Sequence, residues 1–217
     1  MNETECRARI QQEVLAMHYK ETGELRVPVN VSNRHVHLDE EALFALFGKG
    51  HQLTHQKDLI QIGQYACKET VTILGPKGYI EKVRVLGPLR KETQVEISMT
   101  DSFKLGIKPV ICMSGHLEGT PGITIEGPAG SIILPRGAMV ARRHLHVPAS
   151  LAETFGLSNN DTVSIITKGS RPSVLMQVAV RVSDKFLLEA HVDLDEANGC
   201  GIKNDMLCSV IKEGQAK

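Results

Sequence analysis

One short phrase occurs twice in this chain, as Arg34-His35-Val36-His37-Leu38 and as Arg143-His144-Leu145-His146-Val147. Successive side chains of a strand alternate faces, so His35 and His37 project together, as do His144 and His146. Two neutral imidazoles side by side suit zinc and related ions. One His-x-His could be a solvated strand face; two with the same flanks point to metal binding. The copies lie about 109 residues apart, and each leads into a short helical stretch ending in Phe47-Gly48 or Phe155-Gly156. Such self-similarity predicts two related β-barrels that arose by duplication, each delivering one His pair to a shared interface.

The rest of the chain fits that expectation. It has 217 residues, enough for one large or two small domains with real cores. Gly and Pro punctuate many short β-rich stretches: 25–32, 70–74, 79–86, 93–98, 123–125, 132–134, 162–167, 174–182 and 207–211. Gly75-Pro76-Lys77-Gly78 reads as a turn between two of them. Helices are brief, at 39–47, 148–155 and 194–198. Residues 1–20 stand apart. Ile10, Val14 and Met17 recur at helical spacing, which predicts an amphipathic helix, broken at Thr22-Gly23. That helix either packs on its own domain through this stripe or docks on a partner shell.

Composition excludes several classes. Lys+Arg and Asp+Glu are equal at 25 each, so no net field favours nucleic acid or a membrane surface. Trp is absent, so a stacking platform for single strands is not expected. No apolar run has the length of a membrane span, and the polar N-terminus does not read as a secretory signal. Five scattered cysteines with no Cys-x-x-Cys predict reduced thiols in a cytoplasmic protein.

Two residues could complete a metal site. His191 ends the strand-like stretch Leu187–Asp193, and Glu96 lies on the strand face opposite Val95 and Ile97. A carboxylate among imidazoles is typical of a catalytic zinc site with an open position. His18, His51, His55 and His116 lack such company. Arg90, in Gly87-Pro88-Leu89-Arg90-Lys91, could clamp a phosphate with paired hydrogen bonds, and Lys57 and Arg84 are further candidates for a phosphate-bearing ligand. Neither a nucleophile elbow nor a Walker loop is present.

Val29–Leu38, Gly87-Pro88-Leu89-Arg90 with Gln94–Ser98, Gly119–Ile123, Arg143–His146 and Asp195–Asn198 resemble the PduL-type phosphate acyltransferases, the phosphotransacylases of bacterial microcompartments. The resemblance runs from about residue 25 through nearly the whole chain. It implies a mainly β fold with short helices: two related closed β-barrels with capping helices and a dinuclear zinc site between them. The domains would be an N-terminal encapsulation segment (1–20), a first barrel (21–33 with 142–217) and a second barrel (34–141). His35, His37 and Glu96 would bind one zinc, and His144, His146 and His191 the other. Arg90 would bind phosphate. Ser32, Lys57, Arg84, Leu86, His191 and Asn198 would line a coenzyme A groove, with Phe103 stacking on the adenine across a homodimer.

The implied reaction is reversible: acyl-CoA and phosphate give acyl phosphate and CoA. Propanoyl-CoA or acetyl-CoA is the expected substrate, in propanediol degradation within a microcompartment. Shell or core proteins would be partners through residues 1–20. Two other classes also fit the residues: a zinc-dependent thioester hydrolase and a non-enzymatic adaptor with structural zinc. Structural zinc sites are usually closed and often use Cys, which six non-Cys candidates do not suggest.

Overall fold

The structure is a computed structural model that describes residues 3–212. In chain order, α1 (Glu3–Thr22) and β1 (Leu25–Ser32) come first. Then follow β2 (His35–His37), α2 (Glu40–Phe47), β3 (His55–Asp58), β4 (Tyr65–Leu74), β5 (Tyr79–Gly87), β6 (Gln94–Glu96), α3 (Met99–Leu105), β7 (Val110–Cys112), β8 (Ile123–Glu126), β9 (Ser131–Leu134) and β10 (Ala138–Ala141). Last come β11 (His144–Pro148), α4 (Ala149–Phe155), β12 (Thr162–Thr167), β13 (Ser173–Ser183), β14 (Glu189–Asp193), α5 (Leu194–Cys200) and β15 (Met206–Lys212). Two compact units result: residues up to Ser32 with Ile60–Ile62 and everything from Arg142, and Asn33–Leu59 with Gly63–Ala141.

The first unit is a closed barrel, ordered β1-β14-β11-β13-β12-β15, with β15 returning antiparallel to β1. Its strands alternate as a filled barrel requires. Val27, Val29, Leu145, Val147, Val178, Ala190 and Val192 point into the core and are essentially sealed from water. Each fully buried Val or Leu side chain of this kind contributes roughly 1.5–3 kcal/mol. The alternation that sends Leu145 and Val147 inward turns His144 and His146 to the other face.

The helix α1 belongs to this unit, but not by the apolar stripe that its sequence displays. Ile10, Val14 and Met17 are about 60% exposed, at 62%, 58% and 61%. The helix docks through Leu15 and Ala16, with Tyr19 edge-on to Phe155 at 5.3 Å. Gln12 is buried on the same face, where its side chain accepts from the Leu188 N–H (3.3 Å). A polar residue on the docked face hid that face from the periodicity.

The second unit corrects an expectation. Its sheet runs β7-β10-β6-β2-β5-β4-β8-β9, with β3 beside β4, and does not close on itself. The end strands β7 and β9 have only three and four residues, and each pairs on one side alone. A helix absent from the sequence reading, α3, caps this unit's β5 side. Ser98 and Asp101 start it with a reciprocal capping box. Both His-x-His strands run into helices, α2 after β2 and α4 after β11, and each helix ends at a glycine of positive φ, Gly48 (+102°) and Gly156 (+56°).

Candidate metal centres

In the open-sheet unit, β2 lies between β6 and β5. The antiparallel register places His35 opposite Glu96 and His37 opposite Gln94; on the other side His35 pairs with Arg84 and His37 with Leu86. The ligand-capable atoms of His35, His37 and Glu96 all lie within 4.8 Å of one another. His35 Nε2 stands 3.5 Å from Glu96 Oε1, and the two imidazoles meet edge-on at 5.0 Å. His35 Nδ1 lies 2.8 Å from the Asn33 carbonyl, which can hold its proton and leave Nε2 as the donor atom.

Gln94 and Ser114 organise this group. Gln94 is 1% exposed; its amide donates to Glu96 Oε1 (2.6 Å) and Ser114 Oγ (2.9 Å), and its carbonyl accepts from Gly115 N–H (2.8 Å). Arg90 Nη1 donates to the same Ser114 hydroxyl (2.7 Å), and the Arg90 backbone N–H donates to Leu38 O (2.9 Å), so Arg90 is tied to the end of β2. Burial pushes the Glu96 carboxyl up, but His35, His37 and Arg90 together hold it well below the usual range. Burial pushes His35 down and the Glu96 carboxylate outweighs it, raising the imidazole. His37 is lowered well below its ordinary value by burial, then by His35 and Arg90.

The barrel unit repeats the plan with other residues. Strand β11 pairs antiparallel with β14, His144 opposite His191 and His146 opposite Glu189. The ligand-capable atoms of His144, His146 and His191 all lie within 4.8 Å. The rings are 4.7 to 5.1 Å apart, with His144 and His191 nearly parallel. Phe186 stacks on His146 at 4.0 Å. His144 Nδ1 lies 2.8 Å from the Arg142 carbonyl, the same device as at His35. Burial, then His144, His191 and Arg181, push His146 far down.

Both groups fit a metal ion on an observation independent of spacing. His37 Nδ1, both ring nitrogens of His146 and His191 Nε2 are buried without a hydrogen-bond partner. Buried polar atoms are nearly always satisfied, so a cluster of such atoms on facing imidazoles is suited to a bound ion.

The remaining sequence candidates are less gathered. Ser32 closes β1 opposite Asp193, and Asn198 is exposed on α5, where its carbonyl accepts from Arg171. Arg84 lies beside His35, but its Nη1 donates to the Cys67 and Lys68 carbonyls (2.8 and 2.9 Å). Leu86 pairs with His37 in the β2–β5 register. Lys57 is exposed on β3, which β4 and β5 separate from β2, and Phe103 is 76% exposed on α3. Sequence reasoning missed Gln94, Ser114, Asn30, Gln61 and Glu189. Gln94 and Glu189 each sit two residues before a candidate ligand and so share its strand face, a signal that was available.

Strands that gather paired histidines into two groups able to hold a cation, with an arginine held beside one pair, suit an enzyme that acts on an anion. The family model described as phosphate propanoyltransferase matches residues 28–203. Curated proteins of that name are similar to the chain almost end to end. The one from Thermotoga maritima is 51% identical over 201 residues, 92% of this chain and 94% of its own length. Those from Rhodobacter capsulatus and Listeria monocytogenes are 50% and 47% identical, covering 88% and 91% of this chain and 89% and 91% of theirs. The chain belongs to the phosphate propanoyltransferase family and is a phosphate acyltransferase. Among the described residues, no helix is long and apolar enough to cross a membrane.

Proposed function

We propose that the protein exchanges the thiol of an acyl-CoA, propanoyl-CoA or acetyl-CoA, for phosphate, reversibly, with a zinc ion held in each unit. The observation that carries this reading is Arg90 joined through Ser114 and Gln94 to Glu96, a fixed guanidinium beside a cation-binding group. Arg90 binds phosphate with parallel hydrogen bonds and aims one oxygen at the thioester carbonyl carbon. The new C–O bond forms, the C–S bond breaks, and the sulfur leaves as thiolate, which is protonated to CoA. Bound zinc supplies Lewis acidity for the carbonyl oxygen or the departing sulfur. His35, His37 and Glu96 hold one ion, and His144, His146 and His191 the other. Ser32, Lys57, Arg84, Leu86, Phe103, His191 and Asn198 contact CoA. The reaction proceeds without a covalent acyl-enzyme, and it takes place in a microcompartment.

Acyl phosphate formation from a series of acyl-CoAs, with and without phosphate, tests the reaction. Release of free acid at the same rate without phosphate would instead make the protein a thioester hydrolase. Arg90→Ala should raise the KM for phosphate at least tenfold more than that for acyl-CoA, and Arg90→Lys should rescue little, because Lys lacks the planar fork. Equal effects on both constants would remove Arg90 from the phosphate site.

A further inference from the structure

Three imidazoles are neutral ligands, so a divalent ion among His144, His146 and His191 brings two uncompensated positive charges into a group that is mostly buried. The other group contains its own anion, Glu96. In the barrel the nearest carboxylate is Glu189. It is 2% exposed, opposite His146 in the β11–β14 register, with Oε2 3.2 Å from His191 Nε2 and not aligned for a hydrogen bond.

This carboxylate is locked in place. Asn30 Nδ2 donates to Oε1 (2.8 Å), and Gln61 Nε2 donates to Oε2 (2.6 Å). Neither amide can turn its oxygen toward Glu189 without losing a second bond, because Asn30 Oδ1 accepts from Asp205 N–H (2.8 Å) and Gln61 Oε1 from Leu187 N–H (3.2 Å). Gln61 reaches this position from the short segment Ile60–Ile62 that the barrel unit takes from between β3 and β4. One amide donor holds each carboxylate oxygen, yet the charge is not neutralised by any Lys or Arg ion pair among the described residues. A buried carboxylate held by two neutral amides and unmatched by a cationic side chain suits a bound cation.

We propose that Glu189 is the positioning residue of the His144/His146/His191 site, an outer anion that orients His191 and supplies the charge that Glu96 supplies from within the other ligand set. Gln94 is its counterpart: each lies opposite the second histidine of its His-x-His strand and contacts the third ligand two residues on. The roles are matched chemically, since an amide donates to the carboxylate ligand and a carboxylate stands against the imidazole ligand. Outer partners of this kind typically change metal affinity 10–100-fold.

The proposal rests on the metal reading above, and the test separates the two. Zinc affinity is measured on the folded full chain by competition with a chelating dye, and cobalt(II) absorption reports the coordination geometry. His144→Ala with His146→Ala should abolish one class of zinc site; if it removes no zinc, the metal reading and this proposal fall together. Glu189→Gln keeps the shape and removes the charge. It should weaken that same class of site by about 10–100-fold, alter the cobalt spectrum and leave the other class unchanged. A purely structural role would lower the melting temperature of the metal-free protein and leave the zinc dissociation constant unmoved, which would overturn the proposal. Should Glu189→Gln fail to fold, Gln61→Ala frees the carboxylate without deleting it, and a several-fold weaker site is expected; an unchanged affinity there overturns the proposal equally.

Discussion

The two units present the same strand phrase and would meet the charge of a bound cation differently. In the open-sheet unit the carboxylate Glu96 is inside the group, opposite His35, and Gln94 behind it is neutral. In the barrel unit the residue opposite the first histidine is His191, and the carboxylate Glu189 has moved to the position opposite the second. The His-x-His strand, its antiparallel partner and the carbonyl contact at the first histidine are common to both. What varies is which of two same-face positions on the partner strand carries the negative charge. The comparison teaches that the pairing of strands, more than any one ligand, is the repeated device. It also separates the chemistry: the group with the inner carboxylate is the one beside Arg90, where an anion would meet the cation.

The largest effect that can break this comparison is removal of either His pair. His35→Ala with His37→Ala, and His144→Ala with His146→Ala, should each lower zinc content from two ions per chain to one by elemental analysis. Turnover should fall by more than the roughly 100-fold that loss of an outer partner causes. A variant that retains both ions would show that its unit is not a metal site, and the parallel between the units would fail.

How far the sequence made these features legible follows from how local each one is. The His pairs could be read because i and i+2 share a strand face whatever the fold. The glycine stops after α2 and α4 were equally local. Glu189 and Gln94 were not legible as partners of His146 and His37, because the registers that place them there join strands about 43 and 57 residues apart. Asn30 and Gln61 reach Glu189 across still longer separations. Closure was out of reach for the same reason: the repeat implied two like barrels, but whether a sheet closes depends on end strands, and β7 and β9 are short. The strand-like alternation of 93–98 drew attention away from Ser98 and Asp101, which start α3. In α1 the eye follows Ile10, Val14 and Met17, whereas the docked face is Gln12, Leu15, Ala16 and Tyr19.

That helix is also a difference between the units, since α1 is built into the barrel core. Leu15→Ala should destabilise the barrel unit by about 2–5 kcal/mol, read as lost amide protection in β1 and β11, with β4 and β5 of the other unit retaining theirs. Val14→Ser, on the exposed face, should stay within about 0.5 kcal/mol of the parent protein. The same outward face is our candidate contact with microcompartment proteins. Val14→Ser with Met17→Ser should therefore disperse a fluorescent fusion that otherwise co-localises with a shell. Unchanged co-localisation would leave the stripe without that role, and equal loss of protection in both units after Leu15→Ala would erase the difference between them.

The smallest effect sharpens the electrostatic side of the comparison. In metal-free protein, burial beside His144, His191 and Arg181 depresses His146 below its ordinary 6.5. The unfolded chain therefore binds a proton that the folded barrel refuses. This contribution is whole above about pH 6.5 and is lost as pH falls, at about 1.4 kcal/mol per pH unit for one such group. Glu189, also lowered, adds a second loss that begins only near its ordinary 4.5. In the open-sheet unit His37 is depressed too, but His35 is raised by Glu96. A raised imidazole contributes stability below pH 6.5 that disappears as pH climbs through its folded value, so on acidification His35 gains while His37 loses. His35 makes its gain only above pH 6.5 and His37 takes its loss only below it, so the open-sheet unit enters the acid range with a gain in hand that the barrel unit lacks, and the barrel unit should show a net loss first. Amide exchange of chelator-treated protein at pH 7, 6 and 5, corrected for intrinsic rates, resolves the strands of each unit. Earlier loss of protection in β2, β5 and β6 than in β11, β13 and β14 would mean that the inner carboxylate does not protect its unit from acid.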